Sequence, residues 1–272
     1  MFKTLLPLIR THVYNIALAL VIGTYFFFGL QHIGQFVTAD EHYWVYERIP
    51  QYWEAWADGE WKKTLINDKP GVTLALVSGV SLLFEPQPQT HRSENKDRTL
   101  VYDVNRSEQL YTAFRFPLLV VNGLIIVFLF YVISRLTTRF VALLSVTLIA
   151  LSPILLGISQ IVNPDTLLWS LGGAALFSYF AFLTLRERKF FWFTIFFTGF
   201  ALLTKYVAFI LIPLYLALTV LRFFTLQKGE TDTLTSDLFS WGQIRLGSAL
   251  ILVAFLPALP VAAKYIAEIV AT

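Results

Sequence analysis

Residues 13–44 read VYNIALALVIGTYFFFGLQHIGQFVTADEHYW, and this stretch decides the fold. Residues 13–36 are almost wholly apolar, and at a rise of about 1.5 Å per residue a helix of this length crosses the roughly 30 Å hydrocarbon core of a bilayer. Its exit carries two adjacent carboxylates, Asp40 and Glu41. An acidic pair at such an exit is commonly only a solvated boundary. Whether it does more depends on the rest of the chain.

The composition is that of a membrane protein. The chain has 272 residues, of which 56% are hydrophobic and only 14% are charged, and this is too apolar for a soluble domain. It predicts an all-α fold, a single polytopic transmembrane helical bundle over residues 1–272 that is embedded in the lipid bilayer. The small net charge of +3 gives no indication of nucleic-acid binding.

Metal and thiol chemistry have little support in the sequence. There are no cysteines, which excludes thiolate chemistry, and the four histidines lack the spacing of metal ligands. We predict no metal site, although a divalent cation held by carboxylates alone stays open.

About seven apolar segments are predicted to cross the membrane. After the first, they are residues 111–134, 140–161, 166–185, 190–204, 206–221 and 244–263. The apolar run 71–84 is short for a crossing, and we predict that it lies on the membrane or dips into it. Residues of about 37–111 then form one large outer loop. Its many aromatic residues predict two interfacial helices, divided at Pro50 and Gly59.

The cations predict the orientation. Short connectors with Arg135 and Arg139, with Arg186, Arg188 and Lys189, and with Arg222 and Lys228 fall on the same side as Lys3 and Arg10. The connector at 161–165 on the opposite side has no cation. By the positive-inside rule the N-terminus is cytoplasmic, in a plasma (inner) membrane, and Asp40 and Asp165 share the outer face.

Two isolated charges stand out in the apolar segments. Asp165 is the only acid between Glu108 and Glu187. It is expected to cap the helix that follows, and a capping carboxylate can also have a function at the outer face. Lys205 lies within a long uncharged stretch, so its ammonium either snorkels to the interface or serves a polar cavity.

Five short motifs resemble those of a known family. They are ADEHYW at 39–44, NDKPG at 67–71, FRFP at 114–117, SP at 152–153 with NPD at 163–165, and TKY at 204–206. In this order they resemble the motifs of the GT-C fold glycosyltransferases that use polyprenol-phosphate sugars, such as the protein O-mannosyltransferases and the aminoarabinose transferase that modifies lipid A. The resemblance covers residues of about 10–225. Relatives usually continue through further helices or a soluble domain, and we expect this chain to lack them.

The resemblance implies an inverting transfer of a sugar from a polyprenyl-phosphate-linked donor to a lipid, glycan or protein acceptor. The catalytic residues it implies are Asp40 as the general base, with Asp165 and Glu41 as further acids. The substrate-binding residues it implies are Lys69, Arg115 and Lys205 for the phosphate, together with Trp44 and Tyr206.

Two alternatives to an enzyme stay open. The first is a transporter or flippase for a lipid-linked sugar, and the second is an inactive assembly subunit. A flippase should carry polar residues through the depth of the bilayer, whereas these segments are nearly free of charge. The pattern therefore favours the enzyme.

Overall fold

The computed structural model describes residues 2–66, 70–84, 88, 92–94, 100–102 and 104–225. The α-helices are α1 (Phe2–Leu30), α2 (Glu41–Tyr43), α3 (Ile49–Ala57), α4 (Val72–Ser78), α5 (Val104–Leu136), α6 (Arg139–Ala150), α7 (Pro153–Ser159), α8 (Pro164–Leu185), α9 (Arg188–Thr204) and α10 (Leu211–Thr225). A π-helical turn, Trp44–Arg48, joins α2 to α3, and 3₁₀ turns cover Trp61–Thr64, Gly79–Leu83 and Tyr206–Ile210.

The predicted helical membrane fold is confirmed. In the described ranges, three helical segments are long and apolar enough to cross a bilayer: His12–Leu30, Ser107–Leu136 and Pro164–Leu185. The pair α6 and α7, bent by 61° at a short break, would make a fourth. The number of seven crossings stays a prediction, and its last segment, 244–263, lies outside the described residues.

A short hairpin interrupts the helical pattern in the loop before α5. Strands β1 (Arg92–Glu94) and β2 (Leu100–Tyr102) pair antiparallel, with Ser93 opposite Val101. The sequence did not predict this pairing, because six residues of strand are too few to give a clear alternating pattern.

After the turns and loop of residues 31–40, helical structure resumes at Glu41 and continues to Ala57. Gly59 adopts a φ of +70° just after α3 ends, so the predicted break there is confirmed. The predicted break at Pro50 is wrong, because this proline lies in the first turn of α3, where proline is tolerated. Tyr52 is fully buried in α3, and burial raises the pKa of its hydroxyl to about 12.

The apolar run 71–84 forms α4 and a 3₁₀ turn that pack against α5. Pro117 lies inside α5 and has no N–H, which leaves the carbonyl of Ala113 without its helical donor. The hydroxyl of Ser81 donates to that carbonyl at 2.6 Å, and Ser78 donates to the carbonyl of Phe114 at 2.7 Å. The hydrogen bond that α5 lacks at Pro117 is therefore replaced by one from the segment that packs against it.

A buried polar network fixes the connector between α7 and α8. The amide of Asn122 in α5 donates to the hydroxyl of Ser159 at 3.2 Å and to the carbonyl of Thr166 at 3.0 Å. It accepts a hydrogen bond of 2.6 Å from Ser170. Because all three helices are tied to one fully buried amide, the residues between Ser159 and Thr166 have a fixed position.

The bundle has two chemically different ends. At one, which we call the basic end, Arg135 and Lys189 both pair with Glu187, at 2.5 and 2.6 Å, beside Arg139, Arg186 and Arg188. At the other, which we call the acidic end, Asp40, Glu41 and Asp165 come together through contacts described below. This division matches the charge pattern from which the orientation was predicted.

Candidate functional site

Asp40 and Glu41 are neighbours in sequence with opposite environments. Asp40 is exposed, and within the described part of the chain its carboxylate has no hydrogen-bond or ion-pair partner. Glu41 is completely buried. Consecutive residues of a helical turn point about 100° apart, so one carboxylate faces the bundle while the other faces solvent.

The Glu41 carboxylate pairs with Arg115 of α5, which is also completely buried. One carboxylate oxygen accepts from Arg115 Nε at 2.8 Å and the other from its Nη2 at 2.5 Å. Glu41 also accepts from the backbone N–H of Val162 at 2.7 Å and from the N–H of Thr38 at 2.9 Å. One carboxylate therefore joins the loop after α1, the helix α5 and the connector before α8.

The rest of the Arg115 guanidinium is engaged as well. It donates to the carbonyl of Ile33 and, at 2.6 Å, to the carbonyl of Phe36, and its planar group lies over the Phe36 ring. Arg115 was expected to bind a phosphate. In this structure each of its three nitrogens already donates to a protein oxygen, and the side chain is completely buried, so a phosphate would first have to displace protein groups.

Asp165 pairs with Lys205, and these two candidate residues are brought together from different helices. The ammonium nitrogen of Lys205 lies 2.7 Å from one carboxylate oxygen of Asp165 and 3.0 Å from the other. Asn163 is the N-cap of α8, and its side chain accepts from the N–H of Asp165. The reading of Asp165 as the cap is therefore wrong, and its carboxylate is left available for Lys205.

The segment before α4 is docked beside this ion pair. The N–H of Gly71 donates to the carbonyl of Thr204 at 3.1 Å, and Thr73 donates to the carbonyl of Phe200 at 2.8 Å. Trp44 packs against Gly71 and is only 2% exposed. The Arg48 guanidinium stacks on its ring, 4.9 Å from the ring centroid. Trp44 was expected to bind substrate, but its ring is enclosed by protein.

The close approach of Gly71 to Trp44 predicts that Gly71→Ala is costly. Gly71 has a φ of +62°, and a methyl group there would collide with the indole ring. Gly59→Ala is the matched control, because Gly59 has a φ of +70° with open space around it. We expect Gly59→Ala to cost about 1–2 kcal/mol from backbone conformation alone, and Gly71→Ala to cost a further ~1–3 kcal/mol from overpacking.

Thermal unfolding of the two variants in detergent measures this difference. Equal melting temperatures for Gly59→Ala and Gly71→Ala would contradict the contact between Gly71 and Trp44.

The acidic end contains a cavity of about 620 Å³. It is bounded by the loop after α1, by His42 and by the beginning of α5 at Ser107 and Glu108. The Ser107 hydroxyl is buried and has no hydrogen-bond partner in the described part of the protein. Ala39 and His42 line this cavity, and the exposed Asp40 lies between them in sequence.

A second cavity is almost entirely apolar. It has a volume of about 310 Å³ and lies between α4, α5, α8 and α9, with Thr73 and Phe128 among its lining residues. Thr73 also donates to the carbonyl of Phe200, which lines the same cavity.

Lys69 and Tyr206 were also expected to bind substrate. Lys69 lies outside the described residues. Tyr206 is partly exposed next to Lys205, and its ring stacks on Phe209 with centroids 6.4 Å apart. Among the described residues, no group of three or more His, Asp or Glu is arranged to hold a metal ion.

Sequence reasoning missed three residues that shape the site. Val162 supplies a backbone N–H, which no sequence pattern marks. Asn163 precedes a proline and a helix, and this signal for an N-cap was available. Arg48 lies in the same π-helical turn as Trp44 and stacks on its ring, and the sequence did not predict this turn.

One comparison with known protein families found a match. A profile of the dolichyl-phosphate-mannose-protein mannosyltransferase family matches residues 106–260, more than half of the chain. No curated protein and no solved structure matches the chain. The matched part includes Arg115, Asp165 and Lys205. The chain therefore belongs to the dolichyl-phosphate-mannose-protein mannosyltransferase family of GT-C glycosyltransferases, and it is a membrane glycosyltransferase that uses a lipid-linked sugar donor.

Proposed function

We propose that the protein transfers a sugar from a polyprenyl-phosphate donor to a hydroxyl acceptor at the extracytoplasmic face, in one inverting displacement. The observation that carries this proposal is the convergence of four distant segments at the acidic end. The loop at Asp40, the turn at Gly71, the α8 N-terminus at Asp165 and the α9 C-terminus at Lys205 are joined by direct contacts.

Asp40 is the general base of the proposed reaction. Its carboxylate is exposed and unpaired in the described structure, whereas that of Glu41 is fully occupied. A base must reach the proton it removes, which favours the accessible carboxylate. Asp40 takes the proton of the acceptor hydroxyl as its oxygen attacks the anomeric carbon, and the bond from that carbon to the phosphate oxygen breaks. The acceptor enters through the cavity lined by His42 and Ser107.

Lys205 stabilises the phosphate that leaves. An ammonium at this position offsets the negative charge that develops as the glycosidic bond breaks. Arg115 is better suited to a structural role, because its guanidinium is buried against Glu41 and two carbonyls. In this proposal Glu41 and Arg115 hold the Asp40 loop in place, and Trp44 supports the backbone at Gly71.

The isoprenoid chain of the donor lies in the apolar cavity. Its walls from α4, α5, α8 and α9 are nearly without polar surface, as a hydrocarbon ligand requires. Thr73 lines this cavity, and the nearby Gly71 donates to the carbonyl of Thr204, so a chain that left the cavity at Thr73 would emerge close to Lys205.

The extracytoplasmic location predicts a labelling pattern. Because the chain has no cysteine, single replacements at Ala39, Val207 and Thr137 can be probed with a membrane-impermeant maleimide on intact cells. All three positions are exposed, the first two at the acidic end and the third beside Arg139 at the basic end. We expect Ala39→Cys and Val207→Cys to react on intact cells, and Thr137→Cys only after permeabilisation.

Two results would contradict this orientation. Reaction of positions 39 and 207 from opposite sides would exclude a shared active site and favour a transporter or a scaffold. Reaction of position 137 on intact cells, with 39 and 207 protected, would place the site in the cytoplasm.

A further inference from the structure

Two ion pairs of the described residues, Glu41 with Arg115 and Asp165 with Lys205, differ in exposure. The side chains of Glu41 and Arg115 are both 0% exposed, whereas Lys205 is 21% exposed and Asp165 is 47% exposed. Breaking a buried pair leaves a charge without compensation and costs several kcal/mol. A solvent-accessible pair is worth only about 0–1 kcal/mol. Of these two pairs, only that of Asp165 with Lys205 can exchange its anion at low cost.

Both members of the exposed pair are held by regular structure. Asp165 lies in the first turn of α8, where its N–H is fixed by the Asn163 cap. Lys205 ends α9, with its N–H bonded to the carbonyl of Ala201 at 3.0 Å. The side chain of lysine is flexible, so the ammonium can move while both backbones stay fixed.

The contact itself resembles the binding of an oxyanion. The Lys205 ammonium lies within hydrogen-bond distance of both Asp165 oxygens, at 2.7 and 3.0 Å. A phosphate presents oxygens of the same kind to an ammonium. A carboxylate and a phosphate at this position therefore compete for the same donors.

From this we propose that Asp165 is the resident counter-ion of Lys205 and is displaced by the phosphate of a polyprenyl phosphate. This proposal rests on the proposed function, since it assigns Lys205 to the phosphate. In this structure the Asp165 carboxylate pairs with the Lys205 ammonium. When the lipid phosphate binds, Lys205 turns to it and Asp165 is released. Asp165 thereby weakens the binding of the lipid phosphate and favours release of the product after transfer.

Removal of the negative charge at Asp165 should tighten the binding of the lipid phosphate. Asp165→Asn keeps the shape of the side chain and removes its charge. We expect the dissociation constant of radiolabelled polyprenyl monophosphate to fall about two- to fivefold, the factor that corresponds to a competing exposed ion pair. The measurement is equilibrium binding to the purified full chain in a maltoside detergent, which contains no phosphate.

Two further variants separate this effect from a general change in charge. Asp58→Asn removes an exposed acid outside the site and should leave the dissociation constant unchanged. Lys205→Gln should weaken binding, and the double variant Asp165→Asn with Lys205→Gln should bind no more tightly than Lys205→Gln alone. A gain from Asp165→Asn that persists without Lys205 would overturn the proposal.

The remaining outcomes are equally decisive. Weaker binding in Asp165→Asn would place Asp165 in contact with the ligand and would overturn the counter-ion role. Unchanged binding would also overturn that role. Titration with phosphatidylglycerol forms a second arm, and equally strong, Lys205-dependent binding of that lipid would assign the site to bulk membrane phosphate. Because binding is measured without turnover, these results do not depend on whether Asp40 is the base.

Discussion

Arg115→Met should destabilise the folded protein by about 3–5 kcal/mol, because it leaves the buried carboxylate of Glu41 without its cation. Glu41 would retain only hydrogen bonds from Thr38 and Val162, in a site with no exposure to solvent. The loss should appear as a markedly lower melting temperature of the purified protein.

Companion variants identify the buried charge as the cause. Glu41→Gln should also destabilise, since it leaves the Arg115 guanidinium without its carboxylate. The double variant Glu41→Gln with Arg115→Met should be less destabilised than the sum of the single changes, because the two residues are directly coupled. Lys63→Met breaks an exposed pair with Glu60 and should leave the melting temperature unchanged. A wild-type melting temperature for Arg115→Met would contradict the buried pair.

The amino-acid sequence was sufficient to predict the class of fold. The long apolar runs and the cations around Arg135 and Arg186 predicted a helical membrane bundle with unlike ends. The motifs at 39–44, 163–165 and 204–206 predicted where the site lies, and the structure brings these three stretches together. Such features are visible in a sequence because apolar length and charge bias are local properties.

The ion-pair partner of each charged residue could not be predicted in the same way. Nothing local distinguishes Asp40 from Glu41, since only the packing of Glu41 against Arg115 of α5 decides which carboxylate is buried. The same limit applies to Asp165, because its partner Lys205 is 40 residues away. The break assigned to Pro50 was wrong for a related reason, since the effect of a proline depends on where the helix begins.

In the proposed reaction, Asp40 removes the proton of the acceptor hydroxyl during transfer from a lipid-linked sugar. Asp40→Asn keeps the size of the side chain and removes its ability to accept a proton. A positioned general base contributes about 10²–10⁴ to the rate, so kcat should fall by about that factor. The melting temperature and the affinity for polyprenyl phosphate should stay near those of the wild type, because Asp40 is exposed and unpaired in the described structure.

The measurement is the transfer of radiolabelled sugar from a panel of polyprenyl-phosphate sugars to the lipid, glycan and protein fractions of membranes. Asp58→Asn, an exposed aspartate after α3, is the matched control and should retain the wild-type rate. We expect acceptor-dependent transfer by the wild-type protein and its near-complete loss in Asp40→Asn. Wild-type turnover in folded Asp40→Asn would contradict the role of Asp40 as the base.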